Sequence, residues 1–247
     1  MTGTGNLSVH LLPAWIPPGR LRGGVAVVID VLRATTVMVQ AFAQGCREIR
    51  PCLEVDQARD LAAGLPEGSA LVAGEREALP IPGFDVGNSP REFTRDRCGG
   101  RTLVMTTTNG TKALLACRDA DRVLVAAFTN RSAVLSALAN ESRPIHLVCA
   151  GTEGEPSLED SWLAGSIAWG LMPGRRPDDL ARLAMKAWRP DLEKSAHLEP
   201  ALRKGKGGRR LVEIGCAPDI AAASKIDRFP RILPELADSP TRLILAP

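Results

Sequence analysis

Five consecutive apolar residues, Val25-Ala26-Val27-Val28-Ile29, run straight into a carboxylate, Asp30, and then through Arg33 and Thr35-Thr36 into a segment of helical period that lasts to Gln44. An unbroken run rich in β-branched residues is what a strand buried on both faces requires, and covering both faces takes helices. The same unit recurs. Ser69–Ala73 runs into Gly74-Glu75-Arg76, Leu103–Thr106 into a hydroxyl-rich turn, Val123–Ala127 into a helix, and Ile145–Ala150 into Gly151-Thr152. Strand and helix alternate with short turns, so the expected fold is α/β, a mostly parallel or mixed sheet flanked by helices. In such sheets ligands bind outside the carboxyl ends of the strands, where helices begin.

Further strands are expected at Leu7–Leu12 and Glu48–Leu53, with helices over Val55–Ala63, Asn130–Ala139 and Leu158–Leu171. Glu75 to Arg91 reads as one long irregular segment, of the length that in a compact domain usually serves function. Within it Ser89 suits a helix N-cap and Pro90 the first helical position. Beyond Leu171 the strands stop. Residues 173–210 read as basic helices split at Pro190 and Pro200, with Gly205-Lys206-Gly207-Gly208 as a mobile patch. A short helix over Asp219–Lys225 and strands at Arg231–Leu233 and Arg242–Leu245 complete the chain, taken as one domain over 1–247 with a helical, basic sub-region.

The net charge of +3 is too small to argue for nucleic acid, and none is expected as a partner, but the charge is uneven: residues 175–210 hold eleven Lys/Arg against five Asp/Glu. A solvated helical face is the simplest reading of that stretch, ahead of an anion-binding arm. The six cysteines form no C-x-x-C pair and read as small buried hydrophobes in a reducing compartment. With no leader pattern and no span-length apolar run, a cytoplasmic location without membrane contact is expected. Homo-oligomerisation is compatible with the sequence.

The polar residues delivered at strand ends carry the chemistry. Thr106-Thr107-Thr108-Asn109-Gly110-Thr111 is dense in hydroxyls at a helix start and can cradle an anion or simply cap the helix; it is no Walker loop. Ser157 to Asp160 fits a capping box, and Asp160 can equally serve a cation. Asp30, Glu75, Asp85 and Asp160 together would make an all-oxygen site, suited to magnesium rather than zinc. The three histidines, at 10, 146 and 197, are dispersed and favour neither a histidine metal site nor a triad. A metal with an anion cradle points to phosphoryl chemistry. Neither a C-x5-R thiol phosphatase nor an Arg-His-Gly phosphohistidine motif is present, and Leu32 and Ala34 spoil a D-x-D-x-T pattern at Asp30.

Five blocks in order, Val28–Thr36, Gly74-Glu75-Arg76, Gly83-Phe84-Asp85-Val86-Gly87-Asn88-Ser89-Pro90, Thr106–Thr111, and Cys149-Ala150-Gly151-Thr152 with Glu159-Asp160, resemble the 2-phosphosulfolactate phosphatase (ComB) family. A weaker tail at Asp219-Ile220 and Asp227–Pro230 also fits. The resemblance implies a ComB-like fold and a Mg2+-dependent phosphatase that converts (2R)-2-phospho-3-sulfolactate, a small anionic phospho-sulfonate, to 3-sulfolactate and phosphate. In methanogens this step belongs to coenzyme M biosynthesis. It implies Asp30, Arg33 and Glu75 as catalytic residues, and Asp30, Glu75, Asp85 and Asp160 around the metal. Arg76, Asn88, Ser89, Thr107, Thr108, Asn109, Gly110, Gly151 and Thr152 would bind substrate. The chain departs from the family at Glu77-Ala78, which replaces a more glycine-rich stretch, and across residues 173–210. A phosphatase for another 2-phospho acid and a non-catalytic anion-binding protein are the alternative readings.

Overall fold

Val25 to Ile29 form a strand in which all five residues are buried, with Asp30 just beyond its carboxyl end. The computed structural model describes residues 5–172, 174–238 and 241–246. In chain order the elements are β1 (Asn6–His10), β2 (Val25–Ile29), α1 (Ala34–Ala43), β3 (Glu48–Pro51), α2 (Val55–Ala63), β4 (Ala70–Arg76), β5 (Leu79–Pro80), α3 (Arg95–Cys98), β6 (Thr102–Thr106) and α4 (Gly110–Ala116). They continue as β7 (Arg122–Ala126), α5 (Arg131–Leu138), β8 (Ile145–Cys149), α6 (Leu158–Gly170), β9 (Arg176–Pro177), α7 (Asp179–Ala187), α8 (Ser195–Leu202), α9 (Lys206–Glu213), α10 (Ala217–Ala223), β10 (Pro234–Asp238) and β11 (Thr241–Leu245).

The strands form one mixed sheet in the order β5-β4-β6-β3-β11-β10-β7-β2-β8-β1-β9. Two parallel groups, β4/β6/β3 and β7/β2/β8/β1/β9, are joined by the antiparallel hairpin β10–β11. Each junction rests on one paired position, Glu235 with Leu124 and Leu243 with Ile49. An ion pair supports each of them: Arg122 forks onto Glu235 at 3.0 and 2.8 Å, and Arg242 lies 3.4 Å from Glu48. Following the antiparallel steps, the two groups run in opposite directions. Their carboxyl ends nevertheless line one cavity, so the sheet bends at the hairpin and turns the two edges toward each other. Inside the bend a shared core holds Val28, Val125 and Val148 from one group, Leu71, Leu103 and Met105 from the other, and Val37, Met38 and Phe42 of α1. The far faces are covered by α5 to α10 on one group and by α2 on the other.

Several expectations change. The first part of the Glu75–Arg91 segment is not irregular: β4 continues through Glu75 and Arg76 and turns into β5, with Glu77 and Ala78 at φ +54° and +67°, while residues 81–89 lie outside the helices and strands. A two-residue turn with both φ positive matches the twist of a hairpin and is usually built with Asn or Gly, which is why a glycine-rich stretch would suit this position. Pro200 does not split a helix but lies inside α8, where buried Leu198, Ala201 and Leu202 offset the one backbone bond it cannot donate. Gly207 and Gly208 are buried within α9 rather than loose: a Cβ on Gly208 would sit 1.9 Å from the Leu202 carbonyl. The first late strand begins three residues further on, at Pro234. His10 and His146, distant in sequence, meet through the β1–β8 pairing at 3.2 Å, and burial holds both imidazoles below their usual range. All six cysteines are free thiols. Among the described residues no helix is long and apolar enough to cross a membrane.

Candidate active site

Asp30 follows directly on the carboxyl end of β2. Its Oδ1 accepts the Ala34 N–H at 3.2 Å, while Thr35 Oγ1 bridges the Asp30 backbone, accepting its N–H and donating to its carbonyl. The start of α1 is thereby locked to the strand end. Gly110, at the start of α4, touches the same carboxylate: a Cβ there would lie 2.7 Å from Asp30 Oδ2 and 2.4 Å from Ala34 Cβ, so the close approach of β2 and α4 requires glycine.

Glu75 comes from the opposite edge. One carboxylate oxygen accepts the Thr108 N–H at 2.7 Å and the other the Ala78 N–H at 2.8 Å. These bonds allow a charged residue to be buried inside a strand, and each oxygen keeps a lone pair. Arg33, which follows a cis Leu32–Arg33 peptide, donates to Asp219 Oδ2 at 2.8 Å and to the Ala78 carbonyl at 2.8 Å. Ser89 Oγ donates to the other Asp219 oxygen at 2.6 Å. The Ala78 turn, whose left-handed backbone costs about 1 kcal/mol per non-glycine residue, is therefore held from both sides by site residues.

These groups border a cavity of about 690 Å³. Asp30, Arg33, Glu75, Asn88, Thr107, Thr108, Asn109 and Thr152 line it, all of them singled out by sequence. Asn88 Oδ1 and Thr108 Oγ1 are buried there with no hydrogen-bond partner among the described residues. Leaving such atoms unpaired costs about 1–3 kcal/mol each, a cost that a polar ligand in the cavity would remove. Thr107 instead shares its hydroxyl with Thr111 at 3.1 Å and closes the turn.

Other sequence candidates lie elsewhere. Arg76 spends its guanidinium on the Glu75 and Leu53 carbonyls and on Thr106. Asp85 is exposed and accepts the Val72 N–H at 2.7 Å. Asp160 is neither a capping-box acid nor a cavity ligand: its oxygens take the Val31 N–H at 2.8 Å and the Gly151 N–H at 3.1 Å, tying β2 to the loop after β8. Of the four carboxylates expected around a metal only Asp30 and Glu75 line the cavity, and Arg76, Ser89, Gly110 and Gly151 do not. Among the described residues no three His, Cys, Asp or Glu side chains converge on a metal position.

Sequence reasoning missed Asp219, Glu159 and the α9 wall. Lys206, Gly207, Arg209, Arg210, Leu211 and Glu213 line the cavity, so the basic stretch ends on a cavity face rather than a wholly solvated one. Glu159 lies beneath that wall, with Gly205 and Gly207 leaving room for its carboxyl. Burial and the neighbouring Asp160 push Glu159 up to about 7. Burial pushes Asp160 up to about 6 and, together with Asp160, Glu75 and Glu159, raises Asp30 well above the carboxylate range.

The folded state therefore holds protons that the unfolded chain releases near pH 4 to 5, so stability falls as pH rises toward 7 and stays low above it. For Glu159 the loss is roughly 3 kcal/mol at 1.36 kcal/mol per unit. In metal-free buffer, thermal melts should drop between pH 5 and pH 8. Glu159→Gln should flatten that slope and melt above the parent at pH 8; an unaltered slope would mean that Glu159 does not hold the proton.

Comparison with known proteins identifies the family. The family model described as 2-phosphosulpholactate phosphatase matches residues 11–239. The chain is 40% identical over 234 residues to the "Probable 2-phosphosulfolactate phosphatase" of Deinococcus radiodurans, covering 93% of this chain and 92% of that protein. It is 37% identical to the protein of the same name from Symbiobacterium thermophilum, covering 93% and 98%, and 36% identical to that of Caldanaerobacter subterraneus, covering 87% and 89%. The bent α/β sheet, the cavity between its two carboxyl edges and a match over almost the whole length lead to one conclusion: the chain belongs to the 2-phosphosulpholactate phosphatase family.

Proposed function

We propose that the protein is a magnesium-dependent phosphatase that hydrolyses (2R)-2-phospho-3-sulfolactate to 3-sulfolactate and phosphate. The observation that carries the reading is the pair of buried carboxylates, Asp30 and Glu75, facing one cavity from two sheet edges beside Arg33 and the unpartnered Asn88 and Thr108 oxygens. Magnesium is commonly held by one or two carboxylates together with water and substrate phosphate oxygens. Asp30 and Glu75 fit that donor set, and their mutual repulsion fits a site that takes a cation. When bound, the ion would neutralise charge on the phosphate and on the leaving oxygen.

The chain's own residues do the rest. Arg33, oriented by Asp219, offers its remaining N–H groups to a phosphate oxygen. Thr108 and Asn109 bind a second oxygen and fix the phosphorus. A carboxylate of the pair orients the attacking water. The water oxygen bonds to phosphorus as one of its protons passes to that carboxylate, the bond from phosphorus to the C2 oxygen breaks, and the alkoxide takes up a proton from solvent while the carboxylate returns its own.

The test is phosphate release from 2-phosphosulfolactate, 2-phospholactate and phosphoglycerate, with magnesium and with excess chelator. Release that needs magnesium and prefers the sulfonate is expected, with chelator lowering it at least about 100-fold, about 3 kcal/mol. Turnover of the other acids alone would discard the substrate. Turnover indifferent to chelator would discard the metal.

A further inference from the structure

Lys206, Arg209, Arg210 and Glu213 occupy positions i, i+3, i+4 and i+7 of α9 and so form one stripe, and all four line the cavity. Their charges are not equally committed. Lys206 is held between Glu153 at 2.8 Å and Glu155 at 2.9 Å, which tethers α9 to the loop after β8. Arg210 has only a loose pairing with Glu213, at 3.8 Å. Arg209 donates to the Lys204 carbonyl and lies within electrostatic reach of Glu159, with no carboxylate at ion-pair distance among the described residues. The other cationic wall residue, Arg33, is already neutralised by Asp219. The cavity thus has an acidic wall that can take a cation and, on α9, a wall whose guanidinium charge is largely uncompensated.

We infer that Arg209, assisted by Arg210, binds the anionic group of the substrate that lies farthest from the phosphate, and so selects phosphomonoesters carrying a second oxyanion over those with a neutral tail. Planar guanidinium forks suit a sulfonate or carboxylate. Lys206 acts as the tether that keeps the wall in place and not as the reader. This assignment rests on the phosphatase reading for the identity of the near end.

The test uses the full chain in magnesium buffer. Calorimetry measures the binding of 3-sulfolactate and of inorganic phosphate separately, and steady-state assays follow 2-phosphosulfolactate. Arg209→Gln should weaken 3-sulfolactate at least tenfold more than it weakens phosphate. It should also raise KM at least tenfold with kcat changed less than threefold. Arg210→Gln should act in the same direction, and Arg209→Lys should recover part of the loss. Equal weakening of both ligands, no weakening of either, or a fall in kcat at constant KM would overturn the assignment, as would a parent protein that does not bind 3-sulfolactate. Arg209-dependent binding of 3-sulfolactate without any phosphate release would defeat the phosphatase reading and uphold the anion assignment. Turnover indifferent to Arg209 would do the reverse.

Discussion

Asp30→Asn should lower phosphate release from 2-phosphosulfolactate by about 1000-fold or more, at least about 4 kcal/mol of transition-state stabilisation. Asparagine keeps the shape of the side chain and can still accept the Ala34 N–H, so the junction of β2 and α1 survives. What is lost is the charge at the cavity. Because Asp160, Glu75 and Glu159 repel a charged Asp30 in the folded state, the neutral variant should melt no lower than the parent at pH 8 in metal-free buffer. Inactivity with undiminished stability is the signature of a functional carboxylate. Near-normal turnover would remove Asp30 from the site, and a large drop in melting temperature would show that it acts as structure.

The opposite signature is expected at Asp219. It is 2% exposed and pairs with Arg33, which is 6% exposed, while also accepting the Ser89 hydroxyl. Removing one partner of a buried ion pair strands the other, at a cost of roughly 3–5 kcal/mol. Asp219→Ala should therefore lose about that much stability in urea unfolding. The activity of the folded fraction should fall as well, because Arg33 loses the contact that orients it. Asp219→Asn, which can still accept from Arg33, should lose less on both counts. A cost under about 1 kcal/mol for the alanine variant would mean that Arg33 finds another partner and that the pair does not brace the cavity.

Much of the parallel sheet was legible because strands covered on both faces are largely apolar, throughout in β2 and, apart from His146, in β8. The hydroxyl turn after β6 and the acid after β2 were legible because polar residues at strand ends have few other uses. The continuation of β4 was not. Glu75 and Arg76 look like loop residues until two backbone N–H groups are found on the Glu75 carboxylate. Asp160 was ambiguous for a related reason: its partners, Val31 and Gly151, lie outside its own helix, and no local pattern encodes them. The α9 stripe was misread because a basic helical face looks the same whether it meets solvent or a cavity. Asp219 left no local signal beyond its place in the weak tail of the family resemblance. Its partners, Arg33 and Ser89, lie well over a hundred residues away in the chain.

The hairpin β10–β11 sits in the middle of the sheet but follows every helix among the described residues. Until it inserts, β7 and β3 each present an open strand edge, and only the shared core around α1 holds the two half-sheets together. Pairings of such long sequence separation form slowly, and open edges invite pairing with other chains in the meantime. The junction is narrow, one paired position and one ion pair on each side. Weakening Arg122 or Glu48 should therefore appear first as aggregation during synthesis, not as a slower enzyme. Recovery of activity on refolding should trail recovery of secondary structure, because the hairpin that joins the two cavity-bearing strand groups is the last part of the sheet in the chain.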